Sequence, residues 1–284
     1  MSAAVERAPE EGRFARMFRA CRAARRAALL TYVMGGDPDL RGSLAFARAC
    51  IDGGADALEI GVPFSDPVAD GKVIQRAGER ALASGTTVER CLELVRTLRR
   101  GADLPIALMS YVNPLLSLGA GRFAARSAEA GADAAIVPDV PPEELGPLSS
   151  ALGRRGVGLV TFVSPVSSEQ RAKAASGLAT AFVYFLSVTG VTGARRALPD
   201  DLPRQLAQAR ARAGVPVVVG FGISRPAQAR ALGAIADGVV VGSAIVARAA
   251  SEGPVSARAE EISRFVRSLR RALEPGRRAS PRSR

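Results

Sequence analysis

Short apolar runs recur along this chain, separated by stretches of helical periodicity. The runs cover residues 29–34, 57–60, 106–109, 134–137, 158–163, 181–186, 216–219 and 239–241. Most are rich in Val, Ile, Phe or Tyr and show little polar alternation, the pattern of strands buried on both faces of a parallel sheet. Between them, residues 44–51, 89–98, 123–130, 143–152, 169–175, 202–211 and 226–232 place apolar side chains at helical spacing. A small echo leads from helix into strand at Gly54-Ala55-Asp56-Ala57 and Gly131-Ala132-Asp133-Ala134, with Asp237-Gly238 as a looser copy. The glycine tolerates the left-handed geometry of a helix C-cap, and the Ala-Asp pair turns the chain into the sheet.

Strands and helices alternating in this way over most of the chain predict an α/β fold, a single (β/α)8 TIM barrel. An additional N-terminal helix around residues 13–26 precedes the first strand and is expected to close the barrel floor. An open doubly wound sheet would carry a Gly-x-Gly-x-x-Gly turn after its first strand. The first strand here runs instead into Gly35-Gly36-Asp37-Pro38. The expected organisation is an N-terminal extension over residues 1–12, one barrel domain over 13–273, and a basic disordered tail over 274–284.

The charge alters this picture little. Of the net +12, residues 1–26 hold +4 and residues 264–284 hold +7, so the body of the chain is nearly neutral. It offers no electrostatic footprint for a nucleic acid backbone. No apolar run approaches the ~18 residues of a membrane span, so no membrane partner is expected. The N-terminus mixes arginines with Glu6, Glu10 and Glu11 and has no secretory apolar stretch. Three scattered cysteines, Cys21, Cys50 and Cys91, read as reduced thiols of a cytoplasmic protein, with Cys50 and Cys91 in the core.

The absence of histidine decides more. It excludes His-containing metal sites and Ser-His-Asp or Cys-His catalysis, and no Cys-rich cluster replaces them, so no metal site is expected. Proton carriers must come from Asp, Glu, Tyr, Cys or the two lysines, Lys72 and Lys173.

In a barrel of this kind the active site lies at the C-terminal ends of the strands. The second strand contains Glu59 within an apolar run. Facing inward, Glu59 would be desolvated, its pKa raised, and it would carry protons near neutrality. A structural glutamate paired with a barrel charge fits the strand equally well. Asp66 and Asp70 follow in a Pro- and Gly-rich loop, where each reads most simply as a turn residue. The sixth strand leads into Gly190 and Gly193, the seventh into Gly220 and Gly222, and the eighth into Gly242-Ser243, where a short helix is expected to begin. Glycine loops beside a helix N-terminus suit a phosphorylated ligand, although tight turns alone also use glycine.

At these loops the sequence resembles the tryptophan synthase alpha chain family. The matching segments are residues 58–71, Leu108-Met109-Ser110-Tyr111-Val112-Asn113-Pro114, Val137-Pro138-Asp139-Val140-Pro141, and residues 187–195, 220–224 and 242–246. They keep their order and span roughly residues 13–270.

The resemblance implies cleavage of indole-3-glycerol phosphate to indole and glyceraldehyde 3-phosphate. Glu59 matches the family's general acid–base residue, and Asp70 its second catalytic carboxylate. Gly193, Gly222, Gly242 and Ser243 match positions around the substrate phosphate. Tyr32, Leu108, Tyr184 and Phe221 match the lining of the indole pocket, while core packing explains the same four side chains. Asp139 and Thr192 match a loop pair that orders the site. The resemblance further implies a beta subunit partner carrying pyridoxal phosphate in an α2β2 complex, with no cofactor in this chain. Residues 62–71, 113–116 and 187–195 are the segments expected to face that partner. Lys72 stands where the family often has proline; a solvent-facing lysine is expected there, with a salt bridge to Asp70, a contact to the substrate phosphate and, remotely, a Schiff-base amine as the alternatives. Asp37 is expected to be a helix cap.

Overall fold

A computed structural model describes residues 11–186, 201–220 and 222–275. Its strands are β1 (Ala28–Met34), β2 (Ala57–Gly61), β3 (Ile106–Met109), β4 (Ala134–Ile136), β5 (Gly158–Val163), β6 (Phe182–Leu186), β7 (Val217–Gly220) and β8 (Gly238–Val241). Each pairs in parallel with the next, and β8 closes onto β1 with Ala28 opposite Gly238, making a closed barrel. The helices are α1 (Arg13–Ala23), α2 (Leu40–Asp52), α3 (Lys72–Ala83), α4 (Val88–Arg99), α5 (Val112–Leu118), α6 (Ala120–Ala130), α7 (Gly146–Gly153), α8 (Glu169–Leu178), α9 (Leu202–Arg212), α10 (Pro226–Gly233), α11 (Ser243–Ala249) and α12 (Val255–Leu273). No described helix is long and apolar enough to cross a membrane.

Side chains alternate between two cores, as the strand period of two requires. Leu29, Val33, Leu58, Ile60, Ile106, Leu108, Val183 and Val219 pack outward against the helices. Leu30, Ala57, Ala107, Ile136, Val160, Phe182, Val218 and Val240 fill the barrel interior. Helix α1 buries Phe14, Met17, Phe18 and Cys21 against this inner set, with the rings of Phe14 and Phe18 5.4 and 6.1 Å from Phe182. It plugs the N-terminal end of the barrel, the place expected of a helix that precedes the first strand. Arg13 pins it there through Asp103 and Asp133.

The Ala-Asp echo has a structural meaning. The carboxylate before three of the four even strands accepts an amide near the start of the preceding strand. Asp56 takes Leu29 N–H at 2.8 Å, Asp133 takes Ile106 N–H at 2.8 Å, and Asp237 takes Val217 N–H at 3.0 Å. Each also pairs with an arginine that precedes the clamped strand: Arg26, Arg99 and Arg210 respectively. Between β5 and β6 the hydroxyl of Thr180 does the same for Leu159 N–H at 2.8 Å. The barrel floor is therefore built from four strand pairs with one repeated clamp. It satisfies amides that would otherwise be buried without partners.

Three local features differ from the periodicity reading. Helix α3 gave little signal because its buried face is Ile74, Ala77, Gly78 and Ala81, mostly small side chains. Residues 143–152 do not form one helix: a 3-10 turn at Pro142–Glu144 precedes α7, whose first turn holds Pro147. Proline has no N–H to donate and is accepted only in a first turn, so the helix restarts there. Arginines 264–271, counted above as tail charge, lie on α12, which buries Ile262, Phe265, Val266 and Leu269.

Candidate active site

Glu59 lies in the middle of β2. Its register neighbours are Tyr32 on β1 and Ala107 on β3. Ala107 is an inner-core residue, whereas Leu58 and Ile60 on either side of Glu59 face the helices. The carboxyl therefore points into the barrel, with 2% of the residue exposed. Its Oε1 has no hydrogen-bond partner among the described residues. Burial pushes its pKa up to about 8, so it holds a proton at neutral pH. A structural glutamate would show a partnered carboxyl; this one points into the barrel interior, and its Oε1 has no partner among the described residues.

Asp70 stands in the loop that leaves β2, just before Gly71 and α3. Burial raises its pKa to about 6, and a hydrogen bond from the Tyr111 hydroxyl partly offsets that rise. Asp70 is thus ionised at neutral pH while Glu59 is protonated. The Tyr111 hydroxyl also accepts Ala69 N–H at 3.0 Å, and its ring lies 5.5 Å from Phe64. Gln75 Nε2 donates to the Asp70 carbonyl at 2.9 Å. Asp139, at the end of β4, accepts Val112 N–H with both carboxylate oxygens at 3.0 and 3.1 Å, which fixes the start of α5.

Among the described residues, Asp66 and Asp37 do not join the site. Asp66 is exposed and accepts from Ser65. Asp37 is no helix cap: it is buried and takes two 2.7 Å bonds from Arg80, while Asp39 caps α2 by accepting Gly42 N–H at 2.7 Å. Lys72, the first residue of α3, is exposed and makes no ion pair among the described residues.

Around the two carboxylates, the Tyr32 and Tyr184 hydroxyls titrate well above the ordinary tyrosine range, chiefly because they are buried and secondarily because they lie near Asp70 and Glu59, or Glu59 alone, whose ionised forms disfavour a phenolate. The rings need space that only glycine leaves. A Cβ on Gly61 would lie 2.0 Å from the Tyr32 hydroxyl oxygen, and one on Gly220 would lie 2.1 Å from that of Tyr184. Phe162 packs 5.3 Å from Tyr184. Leu108 requires a correction to the pocket drawn from the resemblance. It pairs with Ile60 and Ala135 and packs among helix-facing residues, so its side chain lies outside the barrel. The neighbouring Met109 bridges the inner core and the cluster of Tyr32 and Met34. A shift of one residue along a strand exchanges its faces.

At the rim after β7, Gly222 has φ +55, a conformation that favours glycine, and no described residue stands within 4 Å of where a Cβ would lie. Gly242 packs against Tyr32, and α11 begins at Ser243 with the Ile245 and Val246 amides turned back to the Gly242 carbonyl. Gly193, Thr192 and Phe221 lie outside the described residues, as does the segment 187–195. No group of three or more His, Cys, Asp or Glu side chains suited to a metal occurs among the described residues. The three cysteines are free and buried. Tyr111, Met109 and Gly61 had no assigned role in the sequence reading, and Gly220 was read only as a loop glycine suited to a phosphate, not as room for the Tyr184 ring. Their contributions depend on contacts between different strands.

A closed parallel barrel carrying one protonated and one ionised carboxyl at its C-terminal mouth defines a (β/α)8 enzyme equipped for acid–base chemistry. Comparison with known proteins narrows this class. The family description "Tryptophan synthase alpha chain" matches residues 18–274. The tryptophan synthase alpha chain of Roseiflexus sp. (strain RS-1) is 47% identical over 261 residues, covering 91% of this chain and 99% of that one. That of Pelobacter propionicus is 45% identical over 249 residues, covering 88% and 93%. Among solved structures, a chain of Mycobacterium tuberculosis tryptophan synthase superposes with a TM-score of 0.86 at 36% identity, covering 94% of this chain and 100% of that one. The chain belongs to the tryptophan synthase alpha chain family. The role of this family is to cleave indole-3-glycerol phosphate, a lyase reaction.

Proposed function

We propose that Glu59 and Asp70 divide the chemistry of that cleavage between them, and that the released indole passes to a beta subunit. The bond from indole C3 to the glycerol side chain breaks in a retro-aldol step. C3 must first gain a proton, and a side-chain hydroxyl must then lose one. Protonated Glu59 supplies the first proton, and the resulting carboxylate takes the second. Ionised Asp70 holds the indole N–H and stabilises the positive charge that protonation at C3 creates. The observation that carries this reading is the buried Glu59 oxygen inside the barrel, without a partner among the described residues.

Tyr32, Tyr184 and Met109 line the indole side, together with Phe221. Gly193, Gly222, Gly242 and Ser243 hold the phosphate. Asp139 and Thr192 order the surrounding loops. The inner face of the barrel supports Met109 in the place first given to Leu108.

The beta partner carries pyridoxal phosphate, this chain carries no cofactor, and the complex is α2β2 in the cytoplasm, without nucleic acid or membrane partners. Exposed apolar side chains at the C-terminal end of the barrel support a docking face there: Val68 is 80% exposed and Leu116 59%. Val68 sits on the loop after β2 and Leu116 on α5, and the Ala69–Tyr111 hydrogen bond joins that loop to the residue before α5.

The test is indole release from indole-3-glycerol phosphate with and without beta subunit. Slow release that rises strongly on adding the partner is expected. Fast release indifferent to the partner would indicate an independent lyase, and no release in either case would refute the catalytic assignment.

A further inference from the structure

We propose that Asp37 and Arg80 form a positioning pair for the cleavage: their ion pair fixes helix α3 along its own axis, and so sets where Asp70, at the head of that helix, meets the indole N–H. The inference rests on the role given to Asp70 above.

Arg80 grips Asp37 with two arms of its guanidinium, Nε to Oδ1 and Nη2 to Oδ2, each at 2.7 Å. Asp37 follows β1, and its side chain is 3% exposed; that of Arg80, in the last turn of α3, is 38% exposed. A planar fork matched to a carboxylate fixes direction as well as distance.

The loop that carries Asp37 is itself held on two sides. Gly36 N–H donates to the hydroxyl of Ser43 on α2 at 3.0 Å, and the hydroxyl of Ser84, just past α3, donates to the Gly36 carbonyl at 3.1 Å. Gly36 has φ +82, and a Cβ there would lie 1.8 Å from the Thr86 hydroxyl oxygen, so the loop closes directly over the chain leaving α3. The far end of the helix is thus tied to the end of β1.

The composition of α3 makes such a tie useful. Its buried face is Ile74, Ala77, Gly78 and Ala81, and the first, second and last of these pack with Tyr32, Met34 and Val246. Small side chains bring a helix close to its neighbour, but they bury little apolar area and interlock weakly, so they resist sliding along the axis poorly. At its head, α3 carries the catalytic loop. Gln75 Nε2 donates to the Asp70 carbonyl at 2.9 Å, and the Ile74 and Gln75 amides donate to the Gly71 carbonyl at 2.9 and 3.0 Å. Lys72 and Arg80 are about 12 Å apart along a helix that rises 1.5 Å per residue. The pair therefore works on Asp70 through the helix rather than by contact. A displacement of ~1 Å at a reacting centre can cost ~100-fold in rate, so a smaller slip of α3 is enough to matter.

The test is Asp37→Asn and Arg80→Lys, each made in the full chain and again in the Asp70→Asn background, and assayed with saturating beta subunit. Asp37→Asn keeps the shape and leaves no charge buried, because Arg80 reaches water; Arg80→Lys keeps the charge and loses the fork. Urea unfolding confirms that each is folded under the assay conditions. In the parent background kcat should fall ~10-fold with KM within ~2-fold. In the Asp70→Asn background the same substitutions should change kcat by less than ~2-fold, because the charge they aim is already gone. Equal falls in both backgrounds, or an unchanged kcat in the parent background, would make the pair a purely structural link and overturn the proposal. Asp70→Asn alone at the parent kcat would overturn the reading of Asp70, and the proposal with it; that outcome is read separately, with the Asp37–Arg80 pair intact.

Discussion

The buried carboxyl of Glu59 carries a thermodynamic signature that can be read without any substrate. It titrates at about 8 in the folded chain against an ordinary value of 4.5. Between these values the folded chain holds a proton that the unfolded chain has released. Because the folded pKa is raised, this contribution to stability is fully present below 4.5 and is lost as pH rises through about 8. The slope is ~1.4 kcal/mol per pH unit, so the loss over the whole window is ~4 to 5 kcal/mol. Glu59→Gln keeps the shape and removes the titration. Its amide brings an N–H2 group into a site with no described partner, at a cost of ~1 to 3 kcal/mol that does not vary with pH. The variant is therefore expected to be less stable than the parent at pH 5 and more stable at pH 8, with the two curves crossing between. For a domain of this size ~1 kcal/mol corresponds to ~2 to 4 °C in Tm, so the difference in Tm should swing by ~8 to 16 °C from pH 5 to pH 8. Thermal unfolding of both proteins at four pH values measures it. A constant difference across that range would refute the reasoning, because Glu59 would then titrate no differently in the two states.

Other perturbations address the remaining parts of the site and the floor beneath it. The rate of cleavage should be bell-shaped in pH, falling below about 6 as Asp70 takes up a proton and above about 8 as Glu59 loses one; a rate that climbs steadily through pH 9 would contradict the assignment of Glu59 as the acid. Asp70→Asn should lower kcat by ~100-fold or more through loss of charge stabilisation, whereas a change confined to affinity for the beta subunit would make Asp70 a docking residue. Gly61→Ala places a Cβ 2.0 Å from the Tyr32 hydroxyl oxygen and must displace that ring; a raised KM and a cost of ~1 to 3 kcal/mol are expected, and an unchanged KM would remove Tyr32 from the pocket. On the floor, Asp133→Ala breaks bonds to Ile106 N–H, Arg99 and Arg13 and should cost ~3 kcal/mol or more in urea unfolding, against ~1 kcal/mol for Thr180→Ala. Equal costs would mean that the charged clamps contribute no more than the neutral one.

The barrel was legible because its strands are buried on both faces and read as unbroken apolar runs, while most helices carry a clear amphipathic stripe. The helix with an alanine- and glycine-lined face, α3, had no such stripe to show. Glu59 stood out as a charge inside an apolar strand, yet the strand alone left its role open; its register opposite Ala107, an inner-core residue, shows that it points into the barrel. Leu108 shows the limit of matching by motif. Two adjacent apolar residues at a strand end look alike in sequence, and only the pairing with β2 and β4 tells which one faces inward. Asp37 and Asp39 flank a single proline, and which of them caps the helix depends on Arg80, 43 residues away. Tyr111 acts on a loop 42 residues earlier in the chain, a contact that no local pattern encodes.

The most direct measurement is the single-turnover rate of indole formation from indole-3-glycerol phosphate by the parent chain and by Glu59→Gln, each with saturating beta subunit and each confirmed to be folded. A proton carrier that serves both transfers should leave the variant slower by ~1,000-fold or more. A variant that forms indole at the parent rate would remove Glu59 from the chemistry and contradict the mechanism built on it.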